Sequence, residues 1–243
     1  MKEQFVRTQM LLGEEAMERL AASRVAVFGI GGVGGYVTEA LARSGVGALD
    51  LIDHDTVSMS NLNRQIIATL DTVGQLKVEA MAARIRSINP DCRVMARPVF
   101  YLPETEDQFD FRDYDYVVDA IDTVTGKLAL IEAARQADVP IICSMGAGNK
   151  LDPAAFRVAD IYETSICPLA KVIRRECRKR GIESLKVVYS QEEPVRPAHG
   201  MEETLAWGKR APGSIAFVPS AAGLVIAGEV VRDLACRPVR PSV

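Results

Sequence analysis

Gly29-Ile30-Gly31-Gly32-Val33-Gly34 is the stretch whose spacing most directly implies chemistry. Glycines at Gly29, Gly31 and Gly34 let backbone N–H groups approach a polyphosphate, and a helix starting there aims its positive end at the same charge. Glycines also serve tight strand–helix packing, so the motif takes its meaning from its surroundings. Asp53, closing the next apolar run, stands where a carboxylate takes ribose hydroxyls. Ser60, Asn61, Asn63, Arg64 and Gln65 follow. A dinucleotide has no obvious need of such a cluster, whereas a triphosphate does: Arg64 offers phosphate oxygens a planar fork of donors, and asparagine amides orient them. Lys77 adds a second positive charge. Asp119 and Asp122 are expected to face the same crevice, where a hard carboxylate suits Mg²⁺ on ATP. Each residue also has a plainer use: Arg64 in a surface ion pair, Lys77 on a solvated helix, Asp122 as a helix cap. All of them fall at the carboxyl ends of successive predicted strands.

The elements that must position these groups can be read from the apolar runs. Residues 24–29 (RVAVFG) predict a strand, Val33 to Arg43 a helix, and 48–53 a second strand. That succession implies a right-handed crossover and a parallel sheet. A helix over Lys77 to Ile88 stops at Asn89-Pro90. Strands are expected over 92–99, 114–121 and 140–145, with a helix from about Gly126 to Ala137. Beyond Asn149 come strands at 154–159 and 185–190 around a basic helix at 168–181. A strand at 214–219 and a small-residue helix from Ser220 to Leu234 close the chain. The fold class is therefore α/β, a Rossmann-type, mainly parallel sheet with helices on both faces, extended by C-terminal strands and helices. One domain over 1–243 is expected, with a nucleotide-binding core at 1–150 and a substrate-side extension at 151–243. The polar stretch 191–213, carrying His199 and Trp207, has the length of a lid over a substrate.

Composition narrows the classes. The chain has 243 residues, a net charge of -3 and a polar N-terminus without the apolar core of a signal peptide. Its five cysteines include no CxxC pair, which argues against a zinc ribbon or redox dithiol and for a reduced, cytoplasmic setting. The uncharged segment from Ala211 to Gly228 is interrupted by Pro212, Gly213 and Pro219, so a buried or dimer-interface helix fits better than a membrane span. His54 and His199 are the only histidines, and no constellation for hydride transfer surrounds them. Lys171, Arg174, Arg175, Arg178, Lys179 and Arg180 crowd one predicted helix opposite Leu169, Val172 and Ile173. Such a face is either simply solvated or a contact for a nucleic-acid backbone.

Taken together, GIGGVG, LIDHDTVSMSNLNRQ, Lys77 in VGQLKVEAMAARI, and DAIDTV resemble the ThiF/MoeB/ubiquitin-activating superfamily. The resemblance implies ATP held by Gly31, Asp53, Ser60 through Arg64, Lys77, and Asp122 with Thr123. It implies Mg²⁺ on Asp122, and catalytic roles for Arg64, Lys77 and Asp122. It also implies a homodimer in which an N-terminal arginine, here Arg7, crosses to the partner's phosphates. Within the superfamily, RTQMLLGEEAMERL, SINPDCRV, SMGAGNKLDP, TSICPLAKVIRRECRKRGI, VVYSQEEP and GSIAFVPSAAGL are similar to the branch that dehydrates N6-threonylcarbamoyladenosine in tRNA. That likeness implies a ligase-type adenylation of the threonyl carboxylate, followed by ring closure. It implies tRNA bound through Lys171, Arg174, Arg175, Arg178 and Lys179, and it admits a partner from a sulfurtransferase system. Activators of ubiquitin-like sulfur carriers share the adenylation half-reaction, but commonly hold zinc with two CxxC pairs that this chain lacks. A thioester-forming activator would need a reactive cysteine. Cys167 in TSICP is the one candidate, with a plain packing role as the simpler reading, while Cys143 and Cys177 are expected in the core. An NAD-dependent oxidoreductase and a non-catalytic RNA-binding adaptor remain as other classes.

Overall fold

The computed structural model describes residues 2–196 and 212–236; the expected lid residues His199 and Trp207 lie outside the described residues. Two short helices, α1 (Val6–Leu12) and α2 (Glu14–Ala22), precede β1 (Arg24–Phe28). Then follow α3 (Gly34–Arg43), β2 (Ala48–Ile52), α4 (Lys77–Ile88), β3 (Arg93–Arg97), β4 (Tyr116–Asp119), α5 (Val124–Gln136) and β5 (Ile141–Ser144). The C-terminal part adds β6 (Phe156–Asp160), α6 (Pro168–Lys179), β7 (Lys186–Ser190) and α7 (Phe217–Cys236). All seven strands form one sheet in the order β3-β2-β1-β4-β5-β7-β6. Every pairing is parallel except β6 with β7. The expected α/β fold with its mainly parallel sheet is what forms.

The reversal of strand order lies between β1 and β4, so the ligand crevice of such a sheet opens outside their carboxyl ends. β1, β2, β4 and β5 are almost wholly buried, as strands covered by helices on both faces must be. One core joins Val25, Val27, Leu49, Leu51 and Val118 to Leu41 of α3 and Ile226 of α7. On the opposite face Phe28, Tyr101, Phe109 and Phe111 cluster with Leu130 of α5, Phe28 meeting Tyr101 edge-on at 4.9 Å. Burying each such side chain contributes about 1.5–3 kcal/mol.

One expected element is corrected. Residues 214–219 form no strand: they lead into α7, which starts at Phe217 rather than Ser220. Val218, Ala222, Ile226, Val230 and Leu234 are all buried at i,i+4 spacing, and Pro219 is tolerated in the first turn, where no N–H is required. Among the described residues no helix is long and apolar enough to cross a membrane. Instead α7 packs along α3 and against α2.

Candidate nucleotide-binding active site

The turn from β1 into α3 is built by two glycines. Gly29 has φ +89°, and a Cβ there would lie 2.6 Å from the carbonyl oxygen of Ala120; one at Gly34 would lie 1.7 Å from that of Gly29. No side chain fits either place, so the β1–α3 turn and the residues after β4 are in direct backbone contact. At the start of α3 the N–H groups of Gly35, Tyr36 and Val37 are taken by the carbonyls of Gly31 and Val33, whereas those of Gly31 to Gly34 have no backbone partner among the described residues.

Asp53 follows β2 and accepts the Ile30 N–H at 2.7 Å and the Asp55 N–H at 2.9 Å. Its carboxylate is thereby fixed beside the glycine turn. Arg64 reaches the same place from the loop after β2: a Cβ on Gly32 would sit 3.7 Å from its Cγ. Its guanidinium donates to the Ser60 carbonyl at 2.8 Å and to Asn63 Oδ1 at 2.9 Å. Asn63 donates in turn to the Ser214 carbonyl at 3.0 Å. Asn61 is buried as a local cap, its Oδ1 accepting the Ser58 N–H at 3.1 Å. Lys77 is nearly buried, its Nζ 2.6 Å from Asp55.

Beyond β4 the two aspartates part company. Asp119 was expected to face the crevice; it is instead fully buried, receiving Lys127 Nζ at 3.0 and 2.9 Å, and Lys127 donates also to the Ser144 carbonyl at 2.8 Å. Asp122 stands exposed, three residues further along the turn, without a hydrogen bond or ion pair among the described residues. Thr123, rather than Asp122, occupies the N-cap position of α5, and its Oγ1 is buried with no partner.

The structure thus brings Gly29, Gly31, Gly34, Asp53, Arg64, Asp122 and Thr123 to the carboxyl ends of β1, β2 and β4, with Ser60, Asn61, Asn63 and Lys77 around the loop after β2. Arg7 is not among them. Phe5 and Met17 pack on Gly45 just before β2, and Gln4 bonds the Ile88 carbonyl at the end of α4, so α1 lies at the amino end of the sheet. Two residues not assigned from sequence border the crevice. Gln65 is buried, its Oε1 lacks a partner, and its Nε2 lies 3.8 Å from a Cβ on Gly31. Pro219 covers Gly32 from α7. Gln65 was legible as part of the Asn/Arg/Gln cluster; nothing in the sequence signalled Pro219.

The basic helix is partly self-neutralised. Glu176 takes Arg180 at 2.7 Å, Lys179 at 2.9 Å and Arg175 at 3.3 Å. Those hydrogen bonds, Arg180's first, hold its carboxyl down to about 2. Arg174 caps the Thr164 carbonyl at 2.7 Å, and Arg178 lies over the Tyr162 ring. Lys171 is exposed. Burial pushes the Cys177 thiol up to about 11 and raises that of Cys143, so neither is a ready nucleophile. Cys167 is buried before α6, facing Gly146.

A cavity of about 780 Å³ lies elsewhere, between Tyr116, Pro140, Lys186 and Asp233 at the amino ends of β4, β5 and β7. Four of its lining charges pair with one another, Lys186 with Asp233 at 2.7 Å and with Glu229 at 3.4 Å, and Arg232 with Glu229. The α3 start and the unpaired Asp122 carboxylate lie at the carboxyl ends of β1 and β4, the opposite end of the sheet from this cavity.

A family model for the ThiF family matches residues 5–240. A tRNA threonylcarbamoyladenosine dehydratase of Bacillus subtilis is 48% identical over 242 residues, covering 96% of this chain and 95% of that protein. One from Escherichia coli is 41% identical over 204 residues, covering 81% and 76%. The crystal structure of the E. coli dehydratase TcdA in complex with ATP superposes with a TM-score of 0.86 at 37% identity, over 96% of this chain and 93% of that one. A sulfur carrier protein adenylyltransferase of Thermus thermophilus is 36% identical over 137 residues, 55% of this chain. A match that runs from the first helix through the glycine turn and on to the end of α7 spans every element of the fold: this chain belongs to the ThiF family.

Proposed function

We propose that this chain is an ATP-dependent dehydratase acting on N6-threonylcarbamoyladenosine in tRNA. The observation that carries the reading is 48% identity over nearly the full length of a dehydratase, C-terminal part included. The sulfur-carrier relative matches only about half of the chain, and the described cysteines form no pair of zinc-binding clusters.

In this reaction the threonyl carboxylate attacks the α-phosphorus of ATP, forming an acyl-adenylate and releasing pyrophosphate. A neighbouring group of the same modified base then attacks the activated carbonyl and loses its proton. AMP leaves with the former carboxylate oxygen, so the net change is loss of one water from the base. No external nucleophile is needed, in keeping with cysteines that are buried or remote from the crevice.

The residues share the work between binding and charge. Asp53 holds the ribose hydroxyls, and the N-terminus of α3 with Arg64 and Lys77 balances charge on the phosphates. Arg64 leaves Ser60 and Asn63 for the phosphates, while Asn61 keeps the loop in shape. Asp122 and Thr123 offer hard oxygen donors, which suit Mg²⁺. The trio Asp53, His54 and Asp55 is the other group of hard donors, but it lies on the ribose side, where Asp53 is committed to the Ile30 N–H and to the ribose hydroxyls. A bound Mg²⁺ neutralises phosphate charge and would be held by Asp122. Residues 1–150 bind nucleotide, and 151–243 form the substrate side, with Lys171 and its neighbours on α6 meeting tRNA phosphates. A homodimer, supported by the exposed Met10 and Leu11 beside Arg7, gives Arg7 access to the partner's nucleotide.

ATP–pyrophosphate exchange tests this. Exchange is expected only with tRNA carrying threonylcarbamoyladenosine, and Arg64→Ala should lower it about 10²–10³-fold, the cost of one transition-state donor. Exchange with no tRNA, or with unmodified tRNA alone, would overturn the reading.

A further inference from the structure

The loop after β5, residues 145–151, contains one residue at which otherwise separate pieces of chain meet. Asn149 sits in the left-handed region at φ +55°, a conformation asparagine tolerates better than most residues. Its N–H donates to the Gly213 carbonyl at 2.7 Å, and its Oδ1 accepts the Gly213 N–H at 2.7 Å. Its own carbonyl accepts the Val195 N–H at 2.7 Å. One asparagine therefore clasps the stretch leaving β7 and the stretch entering α7.

The clasp is joined to the nucleotide side. Ser214, next to Gly213, accepts Asn63 Nδ2 at 3.0 Å, and Asn63 accepts Arg64. It is braced on its other flank as well. Lys150 is nearly buried with Nζ on the Glu192 carbonyl, and the Glu192 carboxylate accepts the N–H groups of Leu151 and Asp152 at 2.9 Å each. With ribose on Asp53 at β2 and phosphates on the β1 turn, as the proposed function has them, the nucleotide takes the β2 side of the crevice. A carboxylate attacking the α-phosphorus must come from the β4–β5 side, and the wall there is the loop that Asn149 holds.

On the strength of the function proposed above, we infer that Asn149 is a positioning residue for the acceptor: through Gly213 and Val195 it fixes the wall against which the modified nucleoside lies. The role lives in the side-chain oxygen. Glycine adopts the same backbone conformation without strain while removing the carboxamide and with it the acceptor for the Gly213 N–H; aspartate keeps the acceptor and tolerates the conformation.

The test compares wild-type, Asn149→Gly and Asn149→Asp proteins in ATP–pyrophosphate exchange, varying ATP and threonylcarbamoyladenosine-bearing tRNA separately, with thermal unfolding alongside. Asn149→Gly is expected to raise KM for the modified tRNA at least tenfold and leave KM for ATP within about twofold, with Tm nearly unchanged. Asn149→Asp should stay close to wild type. Equal KM values for Asn149→Gly and wild type would overturn the inference while leaving the proposed function intact. A loss in which Tm and KM for ATP fall out of line together with KM for tRNA would also overturn it, reducing Asn149 to a fold-holding role. Failure of the wild-type protein to exchange with modified tRNA would reject the proposed function and the inference with it.

Discussion

Among the described ion pairs, Lys127 and Asp119 are the one with both side chains wholly buried, 2.9 Å apart. Two charges taken wholly out of water are tolerable because all three ammonium N–H groups and both carboxylate oxygens are engaged: Asp119 also accepts the Ile121 N–H at 3.2 Å, and Lys127 also meets the Ser144 carbonyl. The pair ties β4, the first turn of α5 and the end of β5 together immediately beneath Asp122. Lys127→Met leaves Asp119 as an unpaired buried carboxylate, which costs about 3–5 kcal/mol. The unfolding free energy from urea titration should fall by that amount, through a lower midpoint at a preserved m-value; a change below about 1 kcal/mol would show that water or a rearranged donor replaces the lysine. Lys77 with Asp55 is the contrasting case. Asp55 is half-exposed, so that pair is screened and contributes little to stability.

At the scale of elements, α6 shows how a count of charges misleads. Six bases against one acid suggest a strongly positive face, yet that one acid engages Arg175, Lys179 and Arg180 at once. Lys171, a turn or more away from it and exposed, is the residue best placed to meet a phosphate. Lys171→Ala should therefore reduce the slope of log affinity for tRNA against log salt by about 1, while Arg175→Ala should change it less; an unchanged slope for Lys171→Ala would remove α6 from the RNA interface. The same limit explains what the sequence did and did not disclose elsewhere. The strands β1, β2, β4 and β5 were legible because doubly covered strands are short apolar runs bounded by turn residues, and α4 was legible to the residue because Asn89-Pro90 stops it. The entry into α7 was not. Ile215 and Phe217 suggest alternation and Pro219 suggests a stop, whereas the i,i+4 series from Val218 to Leu234 that prevails is seen only once α3 is there to cover it. Asp119 illustrates the same gap at the site. Its position after a buried run was legible, but the strand-to-helix contact that gives it to Lys127 depends on how α5 docks.

Over the whole molecule, α7 sets the geometry. Its start covers the nucleotide turn, Pro219 against Gly32, and its end meets α2, where Arg19 Nε donates to the Ala235 carbonyl at 2.6 Å. The helix rises about 24 Å between those two contacts, Pro219 and Ala235. α1 lies with α2 at the far end, so Arg7 stands beyond the reach of any side chain from the crevice of its own chain. If Arg7 contributes to the phosphates it does so from a second copy, and the exposed Met10 and Leu11 one helical turn along from it give that copy an apolar surface to cover. Complementation separates this from a passive surface arginine. Arg7→Ala and Arg64→Ala proteins should each be nearly inactive. After mixing in equal amounts and subunit exchange, half of the dimers are mixed, and each contains one complete site, made of the intact crevice of one chain and the intact Arg7 of the other. About a quarter of the wild-type exchange rate should return. If nothing returns from proteins shown to exchange subunits, or if Arg7→Ala alone is fully active, Arg7 has no part in the site and the nucleotide is handled by one chain.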